Sequence, residues 1–266
     1  MKHCHFSILW NELPFLKQKL PFLYKHFDQI IFFDLNIKTF KFSTDGGHEY
    51  IKNFPDPENK ITLIEQTDLS EIKKFEGQSF EEKCKMFAAG SKLVRNDMDV
   101  FWCTDMDEFF DEGIIRKVEA SFNDKEKKVN TIVIPHVIYF YDHHFILANP
   151  KGIDTHPFPF ARITRHVPGR IYGHCTLQKH TPVHVLKHQV LHHFAFVGDK
   201  RMRFKMGIYE KKGWYNKVWK SFNPKDIPDK GVHGRWHPAL DLGVKRSKYK
   251  IPDYINVKEM MKDLGM

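Results

Sequence analysis

The sequence predicts an α/β fold with a largely parallel central sheet. Two observations carry that prediction. A strand, a helix and a second strand follow one another within the first 36 residues, and a further apolar strand, Val100 to Cys103, breaks abruptly into carboxylates. Parallel strands need a crossover connection and are buried on both faces, so they read as short continuous apolar runs. At 266 residues the chain is long enough to bury a full core as one decorated α/β domain.

The elements follow in order. His5 to Trp10 (HFSILW) is a short strand ending at Asn11-Glu12. Leu13, Leu16, Leu20, Leu23 and Phe27 recur at intervals of three and four, which predicts an amphipathic helix from Leu13 to Phe27. Pro14 suits its first turn, whereas Pro21 is expected to kink or split it. Gln29 to Phe33 (QIIFF) is the second strand and closes on Asp34. Thr39 to Ser43 reads as a small edge strand and Thr44 to Gly47 as a turn. Lys60 to Glu65 (KITLIE) is a third strand. Ser79 with Glu82 forms a capping box for a helix running to Asn96. Gly90 costs about 1 kcal/mol inside that helix, so close packing is its expected reason.

The acidic stretch, VFWCTDMDEFFDE, follows. Asp105 and Asp107 stand two apart, so an extended backbone points them the same way. Carboxylates at the carboxyl end of a buried strand lie where open α/β sheets bind ligands. Crowded carboxylates repel, and a hard cation such as Mg²⁺ or Mn²⁺ relieves that repulsion. Gly113 to Phe122 then predicts a short helix, and Val129 to Tyr141 a long strand with a bulge or break at Pro135.

The second half has short, irregular strands and dense histidine. Eleven of the 17 His lie between His136 and His193. His184, His188 and His192 stand four apart, as zinc ligands on one helix face can, but the flanking valines favour strand and no H-E-x-x-H string is present. Leu191 to Lys205 reads as an apolar strand carrying His192-His193 and then a basic segment. In that segment Arg201, Arg203 and Lys205 have the charge to neutralise phosphates. Trp214, Trp219 and Trp236 are suited either to stacking on sugar or base or to anchoring the tail.

The string WCTDMDEFF resembles the D-x-D-E-F segment of glycosyltransferases with the GT-A fold, especially family 2-like enzymes. The opening, WNELPFLKQKLPFLYKHFDQIIFFDLN, resembles the same family's first βαβ unit. The resemblance implies a three-layer α/β/α nucleotide-sugar-binding fold in a single domain, with a donor half at 1–141 and an irregular acceptor half at 142–266. It implies a metal-dependent transfer of sugar from a nucleotide-diphospho-sugar, UDP-linked by preference, to a hydroxyl of a glycan, lipid or other acceptor. Asp105, Asp107 and His193 would hold Mn²⁺ or Mg²⁺. Asn11, Glu12, Asp34, Lys83, Asp105, Arg201 and Arg203 would contact the nucleotide sugar. The family's usual base pair of acceptor-half carboxylates is missing, which leaves Glu108, Asp142 and Asp154 as alternatives for deprotonating the acceptor. Loss of Asp107 would abolish transfer and leave the fold intact.

Net charge is +9, which suits anionic partners. Two other classes are therefore carried along: a zinc-dependent hydrolase using the His-rich half, and a basic nucleic-acid-binding module without catalysis. A nucleotidyltransferase would show a Gly-rich phosphate loop early, and Thr44 to Gly47 has the wrong shape and place. The four Cys lack CxxC spacing and read as reduced thiols. With no signal-like or membrane-length apolar run, a cytoplasmic protein is expected, with at most peripheral membrane contact and without nucleic acid as the favoured partner.

Overall fold

Burial runs unbroken through His3–Leu9 (β1) and Gln29–Asp34 (β2), joined by the helix Leu13–His26 (α1). The computed structural model describes residues 1–35, 41–65, 81–126, 128–148, 161–172, 182–186, 188–208, 219, 222–227 and 243–266, with side chains at 81–84, 161, 204–208 and 243 left out. The chain divides into two units. One comprises Met1–Met106, Asp111–Ile134 and Phe160–Leu186, and the other Asp107–Phe110, Pro135–Pro159 and Lys187–Met266.

The first unit is built on a seven-stranded sheet. To β1 and β2 it adds Ile61–Ile64 (β3), Val100–Cys103 (β4), Thr131–Val133 (β6), Ala161–Arg165 (β8) and Val183–Val185 (β9), in the order β3-β2-β1-β4-β8-β6-β9. The strands β3, β2, β1 and β4 are mutually parallel, while β8 runs antiparallel to both β4 and β6. Alternate side chains of β1 serve different layers, as strand geometry requires. Cys4, Phe6 and Ile8 pack with Phe87 and Ala88 of the helix Glu81–Ser91 (α3). His3 and His5 instead meet Phe27 just past α1, and His3 reaches Glu119 of the helix Glu112–Asn123 (α4). Helices thus cover both faces, and a short helix, Gly47–Lys52 (α2), follows β2.

Several local expectations resolve differently. The helix α1 runs through Pro21, which lies on its exposed side, where loss of one helical bond is tolerated. Trp102 is fully buried on the fourth strand of seven, next to β1. The predicted strand Val129 to Tyr141 is two strands. Pro135 separates β6 from His136–Ala148 (β7), which belongs to the other sheet, because a residue without an N–H cannot continue the ladder. The edge strand at 39–43 is absent from 41–43, its remainder lying outside the described residues. So do Ser79 and its capping box.

Gly90 has the reason its place in α3 demanded. A Cβ there would lie 1.9 Å from Cε2 and 2.5 Å from Cδ2 of Phe6, whose ring sits against Phe87 and Phe101.

The second unit holds a four-stranded sheet of Gly243–Arg246 (β11), β7, Leu191–Val197 (β10) and Glu108–Phe109 (β5) in that order. The helices Asp199–Ile208 (α5) and Val257–Asp263 (α6) belong to it. Trp219 anchors the tail here. It is buried against Phe140, and its indole N–H donates to Asp199 at 3.2 Å. Among the described residues, no helix is long and apolar enough to cross a membrane.

Candidate functional site

The acidic segment leaves the carboxyl end of β4 and passes from the first unit into the second between Met106 and Asp107. The two aspartates of the D-x-D string therefore have separate surroundings.

In the first unit, Thr104 and Asp105 rest on buried polar groups. Lys19 has no exposed surface, and its ammonium donates to Thr104 Oγ1 at 2.9 Å and to the Asp105 carbonyl at 2.6 Å. The Ser7 hydroxyl donates to the Thr104 carbonyl at 2.7 Å. His5 Nε2 meets Thr104 Oγ1 at 2.7 Å. The Asp105 carboxylate lies 3.7 Å from the buried guanidinium of Arg162. A Lys on the apolar stripe of α1, between Leu16 and Leu20, is the sequence signal for this support. Arg162 had no such signal, since pairing of β8 with β4 joins positions some sixty residues apart.

Burial first, then the Lys19 charge, hold the His5 imidazole well below its ordinary value of 6.5. The native protein therefore binds fewer protons here than the unfolded chain once pH falls below about 6.5, and stability must drop with pH in that range. We expect His5→Gln to flatten this acid limb of urea-midpoint stability. An equal slope in both proteins would show that another group governs it.

At the end of β2, Asp34 is fully buried and saturated by its own unit. It accepts from the Ser43 N–H at 3.2 Å and from the Ser43 hydroxyl, and meets His48 Nδ1 at 2.9 Å. His48 Nε2 in turn meets Glu65 at 3.0 Å. Burial raises the Asp34 carboxyl pKa, against the lowering pull of Ser43 and His48. Asn11, at a left-handed φ of 53°, donates from its N–H to Ser43 Oγ and accepts from the Thr44 N–H at 2.7 Å. Glu12 is the N-cap residue of α1. Asp34 and Asn11, both expected at the nucleotide, together brace the 43–48 turn.

In the second unit, Asp107 is 2% exposed. It forms an ion pair with the buried Arg201, and its Oδ1 lies 3.4 Å from His193 Nε2. Phe194 N–H donates to the Asp107 carbonyl at 2.8 Å, fixing the segment to β10. Sheet register does the rest. His193 stands opposite Glu108, and Leu191 opposite His136, so Glu108, His136 and His193 project from one face of the sheet. One ligand atom from each lies within 4.8 Å of the others. His192 points to the opposite face and meets the Tyr139 hydroxyl at 2.9 Å.

The remaining expected residues lie elsewhere. Arg203 pairs with Asp199 on the exposed side of α5. Asp142 accepts from the His144 N–H at 2.7 Å within β7. Asp154 and the Lys83 side chain, like Trp214 and Trp236, fall outside the described residues. Of the histidines at spacing four, His184 lies in β9 and His192 in β10, so they share no helix face. His136 was missed, although it follows Pro135 at even spacing with Ile138 and Phe140 in an apolar run.

A divalent cation fits the donors of the second unit. Asp107, Glu108, His136 and His193 offer carboxylate oxygen and imidazole nitrogen in a largely buried setting.

No family model matches the sequence, and no curated protein matches it. Among solved structures it is similar to S. aureus TarS 1–349, a glycosyltransferase, with a TM-score of 0.43 and 11% identity. The match covers 81% of this chain and 66% of that one, so the chain spans a little under two thirds of its length. At that score the likeness is distant.

Proposed function

We propose that the protein is a glycosyltransferase that moves a sugar from a nucleotide-diphospho-sugar, UDP-linked by preference, to an acceptor hydroxyl. The observation that carries this reading is the D-x-D-E-F segment at the carboxyl end of β4, the strand that closes the parallel part of the sheet. Ligands of open α/β sheets bind beyond that end. The buried Lys19, Ser7 and Thr104 hold the segment's backbone, so the Asp105 side chain is presented from a fixed main chain.

Asp107 would hold a divalent cation in the second unit, with His193 beside it. When bound, such an ion supplies positive charge to the departing diphosphate. Arg201 is buried and held against Asp107, which suits a fixed cation near that charge better than a mobile surface one. Arg203, exposed and engaged on its own helix, contributes less. The nucleotide contacts proposed for Asn11 and Asp34 would have to share groups with Thr44, Ser43 and His48.

A metal-dependent hydrolase is the second reading, favoured by the two imidazoles and one carboxylate of the second unit, a ligand set that hydrolytic zinc enzymes use. A melting-temperature panel of sugar nucleotides with Mn²⁺, Mg²⁺ or EDTA separates the two. A ligand that binds only the native state raises the melting temperature, by about 2.7 kcal/mol of stability at a hundredfold excess over Kd. Metal-dependent stabilisation by a UDP-sugar, and its turnover only with an acceptor, are expected. Stabilisation by no sugar nucleotide would overturn the proposal.

A further inference from the structure

We infer that Glu108, His136 and His193 form a site for a borderline transition-metal ion, of the Zn²⁺ and Co²⁺ class, in preference to Mg²⁺ or Ca²⁺. The inference deepens the reading above by naming the ion, and it rests on that reading only for what the ion is used for.

Three separate strands converge here. Glu108 comes from β5, His136 from β7 and His193 from β10, and the register of both pairings sets the three side chains on one face. Glu108 and His136 are buried, and the His193 side chain is 19% exposed, so the group is closed behind and open at one member. The His136 Nδ1 to Glu108 Oε1 separation is 3.6 Å, and all three ligand atoms fit within 4.8 Å. Ligands of a tetrahedral ion with bonds near 2.0–2.1 Å stand about 3.3 Å apart. Rotations of less than about 1 Å at the side-chain tips would therefore close the shell.

His136 lies 3.6 Å from Glu108, and His193 lies 3.4 Å from Asp107, which also faces the Arg201 guanidinium. A metal uses both imidazoles as neutral donors. Hard ions such as Mg²⁺ take oxygen and demand octahedral geometry, whereas imidazole suits transition ions. The donor set therefore selects the ion class. It also gives Glu108 a role that its burial permits, which contact with an acceptor hydroxyl does not.

The test uses the full chain, stripped with EDTA and titrated with Co²⁺, whose visible bands report its ligands. One equivalent should bind, Zn²⁺ should displace it near stoichiometry, and Mg²⁺ in hundredfold excess should not. Glu108→Gln and His136→Gln should each weaken Co²⁺ binding by more than about tenfold, while the exposed His188→Ala should match the parent. Absence of the bands, equal affinity in both variants, or displacement by Mg²⁺ at parity with Zn²⁺ would overturn the assignment. If a buried variant fails to fold, the His193→Ala protein and the ion competition in the parent decide. Asp105→Asn should keep the Co²⁺ spectrum and lose stabilisation by a UDP-sugar. A parent that shows the Co²⁺ site without binding any sugar nucleotide would sink the glycosyl-transfer reading alone. The converse result would sink this inference alone.

Discussion

Asp107→Ala is expected to reduce metal-dependent sugar-nucleotide turnover by at least about three orders of magnitude, since loss of cation-held charge is worth several kcal/mol and each 1.36 kcal/mol is tenfold. The sequence alone treats this residue as a ligand outside the core, whose removal spares the fold. The structure corrects that expectation. Asp107 is buried and faces Arg201, which is also buried. Removing one partner of a buried pair commonly costs about 3–5 kcal/mol. We therefore expect Asp107→Ala to unfold at a lower urea midpoint as well as to lose activity. Asp107→Ala with Arg201→Met should regain much of the stability and none of the turnover. Recovery of turnover in that double variant, or undiminished turnover in the single one, would remove Asp107 from the chemistry.

Gly90→Ala is expected to cost about 2–3 kcal/mol, the opposite sign from the gain of about 1 kcal/mol that helix propensity alone predicts. The added methyl would enter the ring of Phe6. That ring is fully buried between Phe87 and Phe101, so it has no open space to enter, and β1 is paired on both sides. Overpacking of this kind is relieved only by backbone movement or off-rotamer side chains. Urea denaturation of Gly90→Ala, Phe6→Leu and the double variant measures it. The double variant should be more stable than the sum of the two single effects implies. A Gly90→Ala protein as stable as the parent would show that α3 packs differently against β1.

The parallel half of the first sheet was legible in the sequence because its strands are fully buried. HFSILW, QIIFF and VFWC are continuous apolar runs, and the stripe of α1 sits between the first two. Periodicity says little about polar groups that are buried with partners, and the site depends on such groups. Lys19 breaks the stripe of α1, and only the folded chain shows its ammonium on Thr104 and Asp105. His136 belongs to an apolar strand in the sequence and to a cluster of ligand atoms in the structure, and the difference lies in the register of β7 with β10. The D-x-D string was visible, yet the counter-charges of its aspartates, Arg162 and Arg201, come from pairings 57 and 94 residues away that no local pattern encodes. Asp34 was visible as an acidic strand end. Its engagement by Ser43 and His48 depends on a turn whose path the sequence leaves open.

The insertion of β8 between β4 and β6 has a consequence for synthesis. Ribosomes deliver β1, β2, β3 and β4 in order, and each can join its parallel neighbour as it emerges. Among the described residues, the far side of β4 is filled by Ala161–Arg165. Until those residues are made, a nascent chain carries an apolar strand with an open row of backbone donors and acceptors, the template on which misassembly between chains begins. A fragment ending before residue 161 keeps that open side permanently. Chaperone demand and loss to inclusion bodies should therefore concentrate in the interval between translation of β4 and of β8.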